Sequence, residues 1–308
     1  MPGGAGCTGA EGLYNLAVEF YNLLEREVSS PYAHLSDEED NTLKTYYQNL
    51  TRYPRRIPYY RHNWARRLMG IAKEILTSNG GLEILDAGCG VGTESIFFAA
   101  LREGVTVCGI DCHSPRLITA QRRKAYYEHL LNRQLRVSFH NRDVFSIPAD
   151  RTFDLVWLME SLSHIHPAEA FFEKLPHLLR EGGVVGISDS NIINPVMLLR
   201  VLRLRWKGIY LSKAALQGTG QAVEMVEERL FTPGAVERKL VSLGLRIKAR
   251  TLGGFFPPAI GDLPPIADRL NRLEDICQKI PGLADLGGIY TVIAQKPVGG
   301  AAGVRDLR

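Results

Sequence analysis

Three glycines follow an apolar segment in the stretch ILDAGCGVGTES, residues 84 to 95. Glycine loses conformational entropy inside regular structure, so Gly88, Gly90 and Gly92 so close together predict backbone conformations that other residues avoid. The apolar run before them and the helical pattern after them indicate a tight turn from a strand into a helix. At such a turn the backbone can approach a ligand closely.

Strand-length apolar segments alternate with amphipathic helical segments from residue 82 onward. The helices are predicted to begin near Glu94, at Ser114 (which caps its helix) and at Ala168. Such alternation is typical of a parallel sheet with helices on both faces. After residue 190 the pattern loosens, and we expect the last strand to run antiparallel to the others. The predicted strands are LEILDAG, VTVCGID, LRVSFHNRD, FDLVWLM, GGVVGISDS, LRIKARTLGG and GIYTVIAQKP.

Helical patterns also precede this alternation. Apolar spacing favours a helix over 13–29, SDEED predicts a second helix beginning near Ser36, and a third is predicted over 64–78. The intervening YYQNLTRYPRRIPYYRHNW is too irregular for one helix and is expected either to close over the site as a lid or to be an ordinary packed surface segment. The tyrosines of this predicted lid are Tyr46, Tyr47, Tyr59 and Tyr60.

Taken together, these patterns divide the chain into three parts. Residues 1–64 form an N-terminal helical extension, residues 65–298 form one catalytic-type domain, and residues 299–308 form a tail. Within the domain, residues 192–230 are expected to be an insertion on the acceptor side.

Composition limits the class of protein. The chain has 308 residues, of which 45% are hydrophobic and 23% charged, as expected for a globular protein whose core needs no disulfides. A net charge of +4 is too small to predict a nucleic-acid partner. Five scattered cysteines indicate a reducing compartment, so a cytoplasmic location is expected. Because Cys108, Cys112 and His113 are loosely spaced and no second pair follows, no metal site is expected.

The end of the glycine segment distinguishes between ligand classes. A nucleoside triphosphate loop ends in Gly-Lys-Ser/Thr, whereas this one ends in Gly92-Thr93-Glu94. A dinucleotide loop has a glycine at the position of Thr93, and Glu94 would repel a pyrophosphate at the helix N-terminus. The third class is S-adenosylmethionine, which carries a positive sulfur.

The stretch ILDAGCGVGTES resembles the first motif of the class I S-adenosylmethionine-dependent methyltransferases. Later segments resemble further motifs of that family in order: CGID, NRDVFSIP, FDLVWLMESLSHIHP and LLREGGVVGISDSN. The resemblance covers residues 80–192 and, more weakly, the C-terminal strands. It implies an α/β fold with a doubly wound, mostly parallel seven-stranded sheet, the Rossmann-like methyltransferase fold. It also implies an enzyme with S-adenosylmethionine as cofactor.

The resemblance further implies cofactor-binding residues. Asp86 is expected to balance the positive amino or sulfonium group, Asp111 to accept both ribose hydroxyls, and Asp143 to accept the adenine amino group, with Val144 near the ring. Taken alone, Asp111 is as consistent with a helix cap or a turn, and Asp143 is more often a turn residue. Their occurrence at consecutive strand ends favours the cofactor. The full set is Asp86, Gly88, Gly90, Gly92, Asp111, Asp143, Val144 and Met159.

The candidate catalytic residues lie in ESLSHIHP, after the fourth strand. Glu160, His164 and His166 are expected to face the acceptor, and histidine titrates in the range that suits deprotonation of a phenol or hydroxyl. The alternative for each is a structural or orienting role. Asp189 and Asn191 are predicted either to line the acceptor pocket or to stabilise a turn.

The similarity of ESLSHIHP and DSNIINP to methyltransferases of quinone, lipid and polyketide metabolism predicts a small, lipophilic or aromatic acceptor, methylated on oxygen, carbon or nitrogen. The alternative is a non-catalytic S-adenosylmethionine-binding partner or regulatory protein on the same fold, and a reductase is a distant third. The apolar and basic segment 192–210 predicts a helix that either roofs the acceptor pocket or contacts an anionic membrane. The sequence is also consistent with a homo-oligomer.

Overall fold

The computed structural model describes residues 9–28, 57–206, 211–215, 222–226, 229–256 and 264–299. Most of the helices in these ranges flank one central sheet. They are α1 (Ala10–Val28), α2 (Ile57–Thr77), α3 (Thr93–Leu101), α4 (Ser114–Leu131), α5 (Ala168–Leu178), α6 (Pro195–Trp206), α7 (Pro233–Ser242) and α8 (Pro264–Cys277). None of them combines the length and the apolar character that crossing a membrane requires.

Seven strands form the central sheet, in the order β3-β2-β1-β4-β5-β9-β8. All neighbouring pairs are parallel except those made by β9, which runs antiparallel to both β5 and β8. Strands β6 and β7 pair separately as an antiparallel hairpin. The strands are β1 (Leu82–Ala87), β2 (Val105–Asp111), β3 (Val137–Asn141), β4 (Phe153–Met159), β5 (Leu179–Ser190), β6 (Leu211–Ala215), β7 (Ala222–Val226), β8 (Arg246–Gly253) and β9 (Ile289–Gln295).

Successive side chains of a strand point to opposite faces, and each face of the sheet has its own core. In β4, Trp157 packs with α1, α2 and α3 on one face, whereas Val156 and Leu158 pack with α5 and α7 on the other. Both faces are therefore covered. The carboxyl ends of β2, β1 and β4 lie side by side at one edge, where the ligand of such a sheet binds.

The predicted fold class is confirmed. Strands β2 and β4 have the predicted bounds, and the last strand runs antiparallel as expected. Strands of a parallel sheet that are buried on both faces form continuous apolar runs in the sequence, so they are the easiest strands to recognise.

Other details differ from the sequence analysis. The helix predicted over 64–78 begins earlier, at Ile57, because Pro58 lies in its first turn, where proline is tolerated. The boundary proposed at residue 64 thus falls inside α2. Ser114 is not a cap: His113 occupies that position, and no side chain caps α4. The β6–β7 hairpin was not predicted.

Some predictions concern residues whose structure is not described. The helix expected near Ser36, and Tyr46 and Tyr47 of the predicted lid, lie outside the described ranges. Tyr59 and Tyr60 lie in the first turn of α2. The lid stays a prediction.

Candidate active site

The glycine segment forms the loop between β1 and α3. Gly88, Gly90 and Gly92 have φ angles of +80°, +52° and +75°, in the left-handed region that favours glycine. Below, "glycine loop" means residues 88–92. A Cβ on Gly92 would lie 2.6 Å from the Phe139 ring and 3.0 Å from the Ala120 Cβ, whereas a Cβ on Gly90 would meet nothing within 4 Å. Gly92 therefore allows close packing, and Gly90 leaves space open above the loop.

The end of β2 is bonded to this loop. The amides of Gly88 and Cys89 both donate to the Ile110 carbonyl at 2.9 Å. The Gly90 amide donates to Asp111 Oδ2 at 2.9 Å, and the His113 amide donates to Asp111 Oδ1 at 2.8 Å. The structure thus brings Asp111 into direct contact with the glycine loop.

Asp143 lies at the next strand end. Its Oδ1 accepts the Phe145 amide at 2.8 Å, so it does stabilise a turn, and its side chain remains exposed. The preceding residue, Arg142, donates its amide to the Asp111 carbonyl at 3.2 Å, which places Asp143 beside Asp111. Val144 is buried. These positions are compatible with an adenine contact.

Asp86 lies beneath the glycine loop and is only 2% exposed. Its Oδ2 accepts the Ser95 hydroxyl of α3 at 2.6 Å. Burial, reinforced by the nearby Glu94 carboxylate, raises the pKa of Asp86 from 3.8 to about 8. Without a cation nearby, this carboxyl holds its proton at neutral pH.

We expect Asp86→Asn to flatten the pH dependence of stability. In the folded protein Asp86 keeps its proton up to about pH 8, whereas in the unfolded chain it loses it near 3.8. Between these values the unfolded chain binds fewer protons, so the free energy of unfolding falls as pH rises. Urea unfolding of both proteins at about pH 5 and about pH 8 measures this; the wild type should lose several kilocalories per mole more than the variant. Equal losses in both proteins would show that Asp86 is not responsible.

Three carboxyl groups, those of Asp86, Glu94 and Asp111, lie around the glycine loop. Glu94 and Asp111 both add to the raised pKa of Asp86, so a positive group bound there would favour the ionised form of Asp86. Glu94 accepts the Trp64 indole N–H at 3.0 Å, and its pKa is also raised, chiefly by burial. Such a site favours a ligand with positive groups and disfavours a pyrophosphate. The residues present therefore fit S-adenosylmethionine, with its positive sulfur and amino group.

Glu160 follows β4 directly and adopts a left-handed conformation, with φ +51°. Its amide donates to the Ser188 carbonyl at 2.8 Å, and its Oε1 accepts Arg67 Nη1 of α2 at 2.7 Å. The Arg67 guanidinium is the main reason that the pKa of Glu160 is lowered. Its side chain is nonetheless 58% exposed at the carboxyl end of β4. A non-glycine residue held in this conformation is often functional. Met159, just before it, is partly buried.

The two histidines have different surroundings. His164 ends a short 3₁₀ turn, Leu162–His164, and is exposed; when protonated it contributes, less than Arg67 does, to the lowered pKa of Glu160. The ring of His166 hydrogen-bonds to the Ser163 backbone, and burial lowers its pKa. Its Nε2 is buried without a partner among the described residues.

Asp189 and Asn191 are structural. Asp189 is 2% exposed and accepts the Ser163 amide at 3.0 Å, which holds the turn containing His164 against the end of β5. Asn191 is fully buried and donates to the Asp285 and Gly287 carbonyls at 2.8 Å. Their prediction as turn residues is the one that the structure supports.

Two contacts at this edge were missed by the sequence analysis. Arg67 lies 93 residues before Glu160 and also donates from Nε to the Ser188 hydroxyl at 2.7 Å. Ser161 donates its hydroxyl to the Ala87 carbonyl at 2.7 Å, which ties the segment after β4 to the end of β1, just before the glycine loop. The sequence around Arg67 is an ordinary helical pattern, so no local feature identifies it.

Comparison with known proteins shows a similarity to methyltransferases. A family profile described as "Methyltransferase domain" matches residues 84–183, which include the glycine loop, Asp111, Glu160 and both histidines. The chain is 28% identical to a ubiquinone biosynthesis O-methyltransferase of Chelativorans sp. (strain BNC1), over 79% of this chain and 83% of that protein.

Shorter regions match two other proteins. Methyltransferase GfsG of Streptomyces halstedii is 34% identical over 38% of this chain and 40% of its own. Erythromycin 3''-O-methyltransferase of Saccharopolyspora erythraea is 32% identical over 35% of each chain. Together with the sheet order and the glycine loop, these similarities lead to one conclusion. Residues 84–183 match a methyltransferase domain, and the chain is similar to named O-methyltransferases, which supports a methyltransferase with S-adenosylmethionine as its methyl donor.

Proposed function

We propose that this methyltransferase methylates a hydroxyl oxygen of a small, lipophilic metabolite. The observation that carries the proposal is the placement of an exposed histidine, His164, and an exposed carboxylate, Glu160, in the segment directly after β4, which Ser161 ties to the end of β1 before the glycine loop. A neutral imidazole next to a carboxylate is suited to take a proton from a hydroxyl. Two of the relatives described above are named as O-methyltransferases, which supports oxygen as the acceptor atom.

The proposed cofactor site comprises the glycine loop and the acids around it. The open space above Gly90 and the adjoining Asp111 carboxylate would receive the nucleoside, with Asp143 and Val144 on the adenine side and Met159 beside it. A positive group bound beside Asp86 would favour its ionised form, so that Asp86 and Glu94 together would balance the charge of the ligand. When bound, S-adenosylmethionine supplies an activated methyl group, so the protein mainly has to align the acceptor and accept its proton.

His164 is the proposed general base. Its ring is exposed in the segment after β4, where the acceptor is proposed to bind. The Glu160 carboxylate would stabilise the imidazolium that proton transfer creates. Glu160 itself is a poor base, because Arg67 lowers its pKa. We assign it to orienting His164 and the acceptor. His166 is assigned a shaping role, since burial lowers its pKa and its ring bonds to the Ser163 backbone.

The proposed lipophilic character of the acceptor is supported by α6. Three leucines of this helix, Leu198, Leu199 and Leu202, are 43%, 67% and 51% exposed. Such an exposed set suits either an apolar acceptor or peripheral membrane contact through residues 192–210. Membrane contact and a homo-oligomer stay proposals; flotation with anionic vesicles and light scattering address them.

We expect His164→Ala to lower kcat about 100-fold or more, the usual contribution of a general base. His166→Ala should lower it less than about tenfold, because that ring shapes the site without taking the proton. Two probes represent the proposed acceptors: a polyprenylated catechol and an erythromycin lacking its 3''-O-methyl group. Formation of S-adenosylhomocysteine and the mass gained by the probe are measured together.

The outcomes separate the parts of the proposal. Turnover of either probe by the wild type supports a lipophilic hydroxyl acceptor. Binding of S-adenosylmethionine without turnover of either probe contradicts the acceptor class and favours the non-catalytic alternative. Equal losses in both histidine variants contradict the assignment of His164 as the base.

A further inference from the structure

A buried ion pair connects the N-terminal helix to the body of the protein. Glu27 lies near the end of α1 and Arg123 lies in α4; they are 1% and 2% exposed. Arg123 Nε donates to Glu27 Oε1 at 2.8 Å, and Arg123 Nη2 donates to Glu27 Oε2 at 3.0 Å. The Tyr127 hydroxyl donates to the same Oε2 at 2.8 Å.

The same guanidinium also holds the glycine loop. Arg123 Nη1 donates to the Val91 carbonyl at 2.8 Å and to the Thr93 hydroxyl at 2.7 Å. Val91 is part of the glycine loop, and Thr93 is the first residue of α3. Because the guanidinium is planar and rigid, fixing Nε and Nη2 on Glu27 fixes the direction in which Nη1 points.

We propose that Glu27 is a positioning residue for S-adenosylmethionine: acting through Arg123, it holds the glycine loop in its ligand-binding conformation, so that α1 is part of the cofactor site. This inference rests on the proposed placement of the cofactor at the glycine loop. The loop needs such support because its glycines have many alternative conformations, and no side chain caps α3 at Gly92.

The position of Glu27 depends on how α1 packs. Its buried face includes Phe20, which stacks on Tyr127 with ring centroids 5.3 Å apart and contacts Phe97 of α3 at 5.1 Å. Leu24, 3% exposed, belongs to the same face. The aromatic contacts thus place the carboxylate of Glu27 opposite Arg123.

Loss of the carboxylate should disturb the loop more than loss of an apolar contact does. Without Glu27 the Arg123 cation is buried and lacks its anionic partner, which is costly. The guanidinium is then expected to turn toward water. Val91 and Thr93 would lose the donor that they share.

The test measures the affinity of Glu27→Gln for S-adenosylmethionine and S-adenosylhomocysteine by calorimetric titration. We expect both dissociation constants to rise about tenfold, the loss expected when hydrogen bonds to a charged group no longer hold the loop. Amide hydrogen exchange of residues 88–93 in the ligand-free variant should accelerate more than exchange in β4. Leu24→Ala is the matched control: it weakens the packing of α1 but keeps the ion pair.

A double variant separates positioning from stability. Glu27→Leu with Arg123→Leu replaces the buried pair by apolar residues, which often restores stability. It should therefore recover the melting temperature while its affinity stays about tenfold weak, and it keeps the test available if Glu27→Gln does not fold.

Three results would overturn the inference. These are unchanged affinity in Glu27→Gln, an equal loss of affinity in Leu24→Ala at the same melting temperature, or wild-type affinity in the double variant. Failure of the wild type itself to bind S-adenosylmethionine would instead refute the proposed cofactor site.

Discussion

Asp111→Ala is expected to weaken S-adenosylmethionine binding about 100-fold, because it removes a charged acceptor from the proposed ribose site and leaves the Gly90 amide without its partner. In the folded protein this carboxylate accepts Gly90 at 2.9 Å and His113 at 2.8 Å. The substitution thus affects the ligand and the shape of the loop together. Calorimetric titration with S-adenosylmethionine measures the loss.

Two controls accompany this experiment. Asp150→Ala makes the same charge change in an exposed turn before β4, at the opposite edge of the sheet, and should leave the affinity unchanged. Asp111→Asn keeps an oxygen for the Gly90 amide but loses the charge, so an intermediate affinity is expected. An Asp111→Ala protein that binds as tightly as the Asp150→Ala protein would refute the ribose role.

Gly92→Ala should mainly lower the stability of the protein, whereas Gly90→Ala should mainly lower its affinity for S-adenosylmethionine. At Gly92 a methyl group would lie 2.6 Å from the Phe139 ring, at a φ of +75°. Overpacking and the left-handed conformation together should lower the free energy of unfolding by about 2–4 kcal/mol. At Gly90 the φ of +52° also disfavours alanine, but no atom lies within 4 Å of the added Cβ. There the stability cost should be about 1 kcal/mol.

The affinity for S-adenosylmethionine should fall more in Gly90→Ala than in Gly92→Ala. The Cβ of Gly90→Ala projects into the open space proposed for the cofactor, so its dissociation constant should rise about tenfold or more while the protein stays folded. Urea unfolding and calorimetric titration, carried out on both variants, separate the two effects. If Gly90→Ala bound normally, the cofactor would not approach the loop at this residue.

Several parts of the site follow from local patterns. The glycine spacing requires left-handed backbone, and the apolar run before it requires a buried strand; both are satisfied in the structure. Asp111 ends β2, whose bounds match the prediction, because a strand buried on both faces is marked by its own side chains. These features depend on residues within a few positions of one another.

Other parts of the site and of the fold depend on how segments that are distant in the sequence pack together. Whether Asp86 faces the ligand or the protein depends on α3, whose Ser95 bonds to it. Its raised pKa depends on burial beneath the loop. The start of α2 at Ile57 was missed because the irregular composition around Pro58 hid a helix that packs on the sheet.

The sequence by itself determined the strands of the central sheet, the glycine loop and the acids at the strand ends, because each follows from hydrophobic period or backbone conformation over short distances. Only the tertiary structure decided which side chains support them. Arg67 reaches Glu160 across 93 residues, and Arg123 reaches Glu27 across 96. Such pairs form only when helices dock on the sheet and exclude water, and no local pattern of residues records that docking.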